Sequence, residues 1–218
     1  MVSAFPIPFR RVNMNRCVFF TAKEGPNKEF SMAKLADESI ISPLEVDEFI
    51  KQNRRFPCNL VLVHKRITNS GIIQSNNVPE KEFFDYQYNQ FAYYLLSERL
   101  KNCIEENKGS KDSFSWISVP VSSENETRDY YIPMFESIPD VLDLELTTRV
   151  SASNAILVPC FASEKLEGHN FFPKESSFGL LPRGIYVSES LKKILQKQKF
   201  DNIKFEKSKC SLEGVVVK

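Results

Sequence analysis

Glycine, histidine and long apolar runs are all scarce in this chain of 218 residues, and each shortage closes a route to function. The seven glycines are scattered and form neither G-x-G-x-x-G nor a P-loop, so no phosphate-cradling turn of a nucleotide-binding fold is encoded. No serine stands in G-x-S-x-G, which removes the α/β-hydrolase template. The two histidines, His64 and His169, lie more than a hundred positions apart, and no Cys/His cluster has zinc spacing. No metal site and no cofactor are therefore expected. Cys17, Cys58, Cys103, Cys160 and Cys210 are an odd number without a C-x-x-C pair, and read as reduced, buried thiols of a reducing compartment. The longest aliphatic runs, Leu60 to Val63 and Ala155 to Val158, suit buried strands and fall far short of the roughly 20 residues of a membrane helix. Pro6 and Pro8 interrupt the N-terminus where a signal peptide needs an apolar stretch. A cytoplasmic location without membrane contact is expected.

The composition is that of an ordinary globular chain, with 42% hydrophobic and 26% charged residues, long enough to bury a core without staples. Eighteen phenylalanines predict a ring-packed interior, with any remainder available as anchors on a partner surface. The net charge of +1 gives no global pull toward nucleic acid or anionic membrane, so direct nucleic-acid binding is not expected.

Cys17 to Thr21 reads as an opening strand, followed by a turn cluster at Lys23 to Asn27. Ser42-Pro43-Leu44-Glu45 has the form of a capping box with proline at the first helical position, and predicts a helix to about Asn53. A strand from Asn59 to His64 and a loop or hairpin around Gly71 follow. Between Glu80 and Leu96 the spacing of Phe84, Tyr88, Phe91 and Leu95 fits a helix, while the aromatic content fits a strand equally well. Ser97 begins a helix with Leu100, Cys103 and Ile104 on one face and Gly109 as its stop. Phe114 to Val121 and Tyr130 to Met134 read as strands that pair, and Ala155 to Phe161 as a strand interrupted at Pro159. Ile185 to Val187, a helix capped by Ser188, an Asp201-Asn202 turn and Ile203 to Phe205 close the pattern, with a last strand near Val215. Strands interspersed with helices, without regular alternation, predict an α+β fold: a mixed or antiparallel sheet with helices packed on it.

One unit occurs twice. Shifted by ninety-one positions, Ser97-Glu98-Arg99-Leu100-Lys101 falls on Ser188-Glu189-Ser190-Leu191-Lys192, Ile104 on Leu195, and Phe114 on Phe205. Ser-Glu-x-Leu-Lys is a common helix start, and the equal downstream spacing is what favours a duplicated strand-helix-strand unit, at 95–119 and 185–206. The expected organisation is an N-terminal lobe at 1–80 and a second lobe at 81–218 holding both units, with one continuous domain as the alternative.

The pattern Leu96-Ser97-Glu98-Arg99-Leu100-Lys101, Phe114-Ser115-Trp116, Ile138-Pro139-Asp140-Val141-Leu142-Asp143, Ile185 to Lys192 and Ile203-Lys204-Phe205 resembles the immunity proteins that accompany bacterial polymorphic toxins. The resemblance covers about 95–206. Many members carry a glycine before the final strand, where this chain has Asp201-Asn202; asparagine also tolerates the left-handed conformation. The resemblance implies a non-enzymatic protein that neutralises a cognate toxin by stoichiometric binding, and many such toxins are basic nuclease-like domains.

Charge patterning points to a docking segment. Between Ser122 and Glu145, seven acidic residues face Arg128 alone, a local charge of −6. Glu124, Glu126, Asp129, Glu136, Asp140, Asp143 and Glu145, with Tyr130 and Tyr131 as aromatic anchors, are the expected partner-binding residues; a solvated loop is the plainer reading of the same acids. Two other classes remain open. An enzyme with an unfamiliar site, acting for example on nucleic acid, requires a concave pocket joining a histidine to carboxylates. A structural subunit requires an extensive exposed apolar surface.

Overall fold

The computed structural model describes residues 17–22, 29–37, 42–75, 79–91, 93–153, 155–173, 184–212 and 215–217. The turn expected at 23–27 and the proline-containing segment 1–11 lie outside them. The first strands are β1 (Cys17–Ala22), β2 (Glu29–Leu35), β3 (Leu60–Thr68), β4 (Gly71–Gln74), β5 (Tyr86–Gln87), β6 (Leu95–Ser97), β7 (Phe114–Ser122) and β8 (Thr127–Phe135). They are followed by β9 (Thr148–Arg149), β10 (Ile156–Val158), β11 (Cys160–Ala162), β12 (Phe171–Pro173), β13 (Ile185–Ser188), β14 (Ile203–Lys207), β15 (Lys209–Leu212) and β16 (Val215–Val217). The helices are α1 (Pro43–Asn53), α2 (Glu98–Glu106) and α3 (Glu189–Gln198). The class is α+β.

The helices start where local chemistry says they should. Ser42 and Glu45 cap each other reciprocally, the Ser42 N–H donating to Glu45 Oε2 at 2.7 Å and the Glu45 N–H to Ser42 Oγ at 3.3 Å. Ser97 Oγ accepts from the Leu100 N–H and Ser188 Oγ from the Leu191 N–H, so both later helices are capped at equivalent positions. Their ends differ. Lys199 closes α3 in the left-handed conformation, whereas α2 ends on Asn107 at φ −115° and does not use Gly109 as its stop. Gly109 is needed for a close approach instead, since a Cβ there would sit 2.3 Å from the Gly168 carbonyl oxygen.

The largest sheet runs β2-β3-β7-β8-β6-β5, with β4 attached to β3 as a hairpin. Its two ends meet. The Ala33 N–H on β2 donates to the Tyr88 carbonyl at 2.7 Å, the Gln90 N–H returns to the Ala33 carbonyl at 3.1 Å, and the fully buried Gln87 amide reaches the Ser31 carbonyl at 2.9 Å. The sheet thus curls into a barrel-like cup, with α1 contributing Val46 and Ile50 to its filling. Such closure satisfies polar edge groups that an open sheet would leave exposed. The described residues of 80–94, a stretch that suits helix and strand equally by pattern, form no helix: the Asn89 side chain accepts from the Phe91 and Tyr93 N–H groups and donates to the Gln87 and Tyr93 carbonyls between β5 and β6.

Strand alternation then stacks three cores. On β6, β7 and β8, Leu95, Ile117, Val119, Tyr130, Ile132 and Met134 face the cup, while Leu96, Phe114 and Phe135 face outward. That outer face packs on α2, α3 and a four-stranded sheet of order β12-β13-β1-β14 through Phe171, Ile185 and Val187. The opposite faces of the same strands, Phe172 and Tyr186, build a third cluster with Phe161 on β11 and Val141. β11 pairs with β15 in a sheet with β16, and Pro159 is the break at which the chain leaves the β9–β10 pair for that sheet.

Both strand-helix-strand segments adopt one topology. β6 and β7 flank β8, antiparallel to each, and β13 and β14 flank β1 in the same way. Leu96, Leu100 and Ile104 share a single core with their counterparts Val187, Leu191 and Leu195. The register is not identical at the second strand: Phe114 opens β7, and Phe205 is the third residue of β14. Asn202 before β14 has φ 59°, the conformation glycine would otherwise supply. Asn202→Ala is expected to lower stability by about 1 kcal/mol and Asn202→Gly to be nearly neutral, read from urea midpoints.

Candidate functional site

A cleft of about 730 Å³ opens between the start of α2, β8 and the turn after α3. Its walls come from four stretches of chain: Lys81, Phe83, Phe84 and Asp85 ahead of β5, Ser97 to Arg99 at the start of α2, Arg128 to Tyr131 on β8, and Asp201 in the turn after α3.

Asp85 is the hub. Only 7% exposed, it accepts from Ser97 Oγ at 2.7 Å, from Arg99 Nη2 at 2.5 Å and Nε at 3.3 Å, and from the Asp201 N–H at 3.0 Å. Burial opposes its ionisation, but the Arg99 and Ser97 bonds and the Asp201 N–H outweigh that and hold its carboxyl below the ordinary range. Arg99 also reaches the Gln198 carbonyl at 3.3 Å and lies 4.2 Å from the Phe200 ring centre, so one side chain ties the start of α2 to the end of α3.

The remaining charges decide what the cleft offers to solvent. Lys81 pairs with Asp201, and Arg128 with Glu126 at 2.5 Å while lying over Phe83. Glu98 and Asp129 make no ion pair among the described residues, and both raise the pKa of the half-buried Tyr131 phenol, after burial itself. Lys101 covers the Tyr131 ring at 4.4 Å. Beside Tyr131 the cleft thus carries two carboxylates without ion pairs among the described residues, while its half-exposed cations Lys81, Arg99 and Arg128 are all paired.

The nine residues expected to bind a partner do not form one patch. Thr127 to Phe135 is an extended strand, about 27 Å at 3.4 Å per residue, and it separates them into two groups. Glu124, Glu126, Asp129, Tyr130 and Tyr131 lie at the cleft end. Tyr130 is a wall and not a free anchor: 2% exposed, it donates to the Phe84 carbonyl at 2.8 Å, and burial pushes its phenol well up. At the other end, exposed Glu136 accepts from Ser113, Asp140 pairs with Lys165 at 3.0 Å, and exposed Glu145 has no ion pair among the described residues. Asp143 serves its own turn, accepting the Glu145 and Leu146 N–H groups at 3.1 Å; a bond from Ser211 is the main cause of its lowered pKa. The sequence does not mark Asp85, Arg99, Lys81 and Asp201 as site residues, although Arg99 stands in a helix start and Asp201 in a turn. The one signal was Arg99 in the Ser-Glu-Arg-Leu-Lys start, which nothing local connects to Asp85.

The histidines stand apart from the cleft. His64 Nδ1 is 3.4 Å from the fully buried Ser31 Oγ and its Nε2 is 4.0 Å from Glu82, and neither His64 nor Glu82 lines the cleft. His169 meets Asp112 at 3.3 Å, and Asp112 is occupied by the Gly109, Asn170 and Phe171 N–H groups. No group of three His, Cys, Asp or Glu is placed to hold a metal ion among the described residues.

Fold and site together define an α+β scaffold that presents a polar, aromatic-edged cleft built from both of its strand-helix-strand segments. The family model described as Immunity protein family (Imm11) matches residues 22–209, and the chain belongs to that family. The match extends beyond 95–206, the range of the resemblance legible in sequence, to take in α1, β2 and β3. Immunity families are in general non-enzymatic and have a toxin as counterpart. A comparison with curated proteins finds no match. Among the described residues no helix is long and apolar enough to cross a membrane.

Proposed function

We propose that this chain neutralises a cognate bacterial toxin in the cytoplasm by forming a stoichiometric complex with it, without cofactor or catalysis. Membership of the immunity family over residues 22–209 carries the reading. The toxin face that meets the cleft is basic, as the active-site face of a nuclease is, because the carboxylates left without ion pairs at the cleft are Glu98 and Asp129. Mixing the purified chain with the product of an adjacent toxin gene tests it: a stable one-to-one complex on sizing with loss of toxin activity is expected, and failure of the pair to associate ends the proposal. The double substitution Glu98→Lys and Asp129→Lys is expected to slow association about tenfold at low salt and to flatten its dependence on ionic strength, read by stopped-flow mixing. Unchanged association kinetics would remove the cleft from the interface.

A further inference from the structure

A second pocket, of about 260 Å³, lies beyond the far end of β8 from the cleft. Its floor is apolar and rigid, with Val141, Phe161 and Tyr186 each under 5% exposed and packed in the third core. Its rim is different: Ile138 is 45% exposed and Leu144 is 65% exposed.

Large apolar side chains on a loose loop would need no explanation, but this segment is pinned along its length. The Ala162 N–H donates to the Val141 carbonyl and the Asp143 N–H to the Cys160 carbonyl, both at 2.9 Å. Thr147 Oγ1 bonds the Cys160 N–H at 3.1 Å and its carbonyl at 3.2 Å, Asp143 caps the turn at 144–147, and Lys165 holds Asp140 and the Leu142 carbonyl. Ile138 and Leu144 are therefore held out toward water on a preorganised backbone, the arrangement in which burial by a partner costs little ordering entropy.

Charge says which partner. Asp140 and Arg149 line the pocket, and Glu136, Asp143 and Glu145 stand within two residues of Ile138 or Leu144 along the chain, so four carboxylates lie on or beside the rim against Arg149 and Lys165. A second copy of this chain placed on a two-fold axis here would bring like charges together. A basic surface would not. We infer that this pocket receives a bulky apolar side chain of the toxin flanked by lysine or arginine, an anchor separate from the cleft. The inference rests on the immunity reading.

The test uses the full chain and an active-site-disabled form of the adjacent gene's toxin, with affinity measured by calorimetry. The double variant Ile138→Ser and Leu144→Ser is expected to weaken binding about thirtyfold or more, mainly through faster dissociation, with the melting temperature unchanged. Ile67→Ser with Ile73→Ser, which alters apolar residues as exposed on the β3–β4 hairpin, serves as control and is expected to bind as wild type does. A wild-type complex indifferent to the Ile138/Leu144 change overturns the inference alone, whereas absence of any complex with wild type overturns the immunity reading together with it. A dimer of the unbound chain that the same substitutions dissolve assigns the pocket to a second copy and overturns it too.

Discussion

Phe171→Ala is expected to lower the stability of the chain by about 4 kcal/mol, the upper part of the range for emptying an aromatic site in a packed core. Phe171 is fully buried, and its ring lies 5.1 Å from Phe114, 5.5 Å from Phe135 and 6.3 Å from Trp116. Those three come from β7 and β8, while Phe171 itself sits on β12, opposite Val187 of β13. It is the ring through which the four-stranded sheet grips the outside of the cup. Neighbouring rings cannot collapse into the space without leaving their own positions, so most of the cavity persists. At roughly 2–4 °C per kcal/mol for a chain of this size, the melting temperature should fall by about 8–16 °C in a calorimetric scan. Phe171→Leu, which keeps most of the volume, should cost about 1.5 kcal/mol. Equal losses for the two variants would mean that ring packing is not what joins the layers.

Asp85→Ala is expected to lower stability by about 3 kcal/mol, because it leaves the Ser97 hydroxyl and the Asp201 N–H without their buried acceptor. Arg99 is half exposed and finds water, so the loss stays below that of a fully buried ion pair. Asp85→Asn keeps an acceptor oxygen and should cost less. Acid provides the independent check. The Asp85 carboxyl is held below its ordinary 3.8, so its contribution is full above that value and is lost as pH falls through the lower folded value. The stability difference between wild type and Asp85→Asn, measured by urea unfolding, should be constant above about pH 5 and close progressively below about pH 4. A gap as wide at pH 2 as at pH 7 would show that charge is not the origin of the effect.

What could be read from the sequence was what local chemistry decides. Ser42, Ser97 and Ser188 mark their helices because a cap is made with residues three positions away, and Pro159 marks a strand break because proline has no N–H to donate. The α+β class and the β7–β8 pairing follow from such signals. The stretch at 80–94 was not decidable, since the Asn89 side chain that shapes it competes with both regular structures and leaves no trace in periodicity. The acidic span was visible as a sum of charges, but an extended strand in its middle sends the two halves to opposite ends of β8. The cleft itself was hidden for a simpler reason. Asp85, Arg99 and Asp201 are joined by hydrogen bonds across as many as 116 positions, and no window of sequence contains them together.

The place of β1 between β13 and β14 sets when the fold can be completed. Phe20 pairs with Ile185 and Val18 with Lys207, so β1 waits for partners synthesised more than 160 residues after it. The cup, whose strands all lie between Glu29 and Phe135, can close while the rest of the chain is still being extended. Until β13 and β14 emerge, the outward-facing Leu96, Phe114 and Phe135 are covered only in part, by α2 and Phe171, and the nascent protein carries an apolar flank that chaperones are suited to shield. Non-local pairing of this kind makes for slow completion. Completion of the fold is therefore set by the late pairing of β1 and not by closure of the cup.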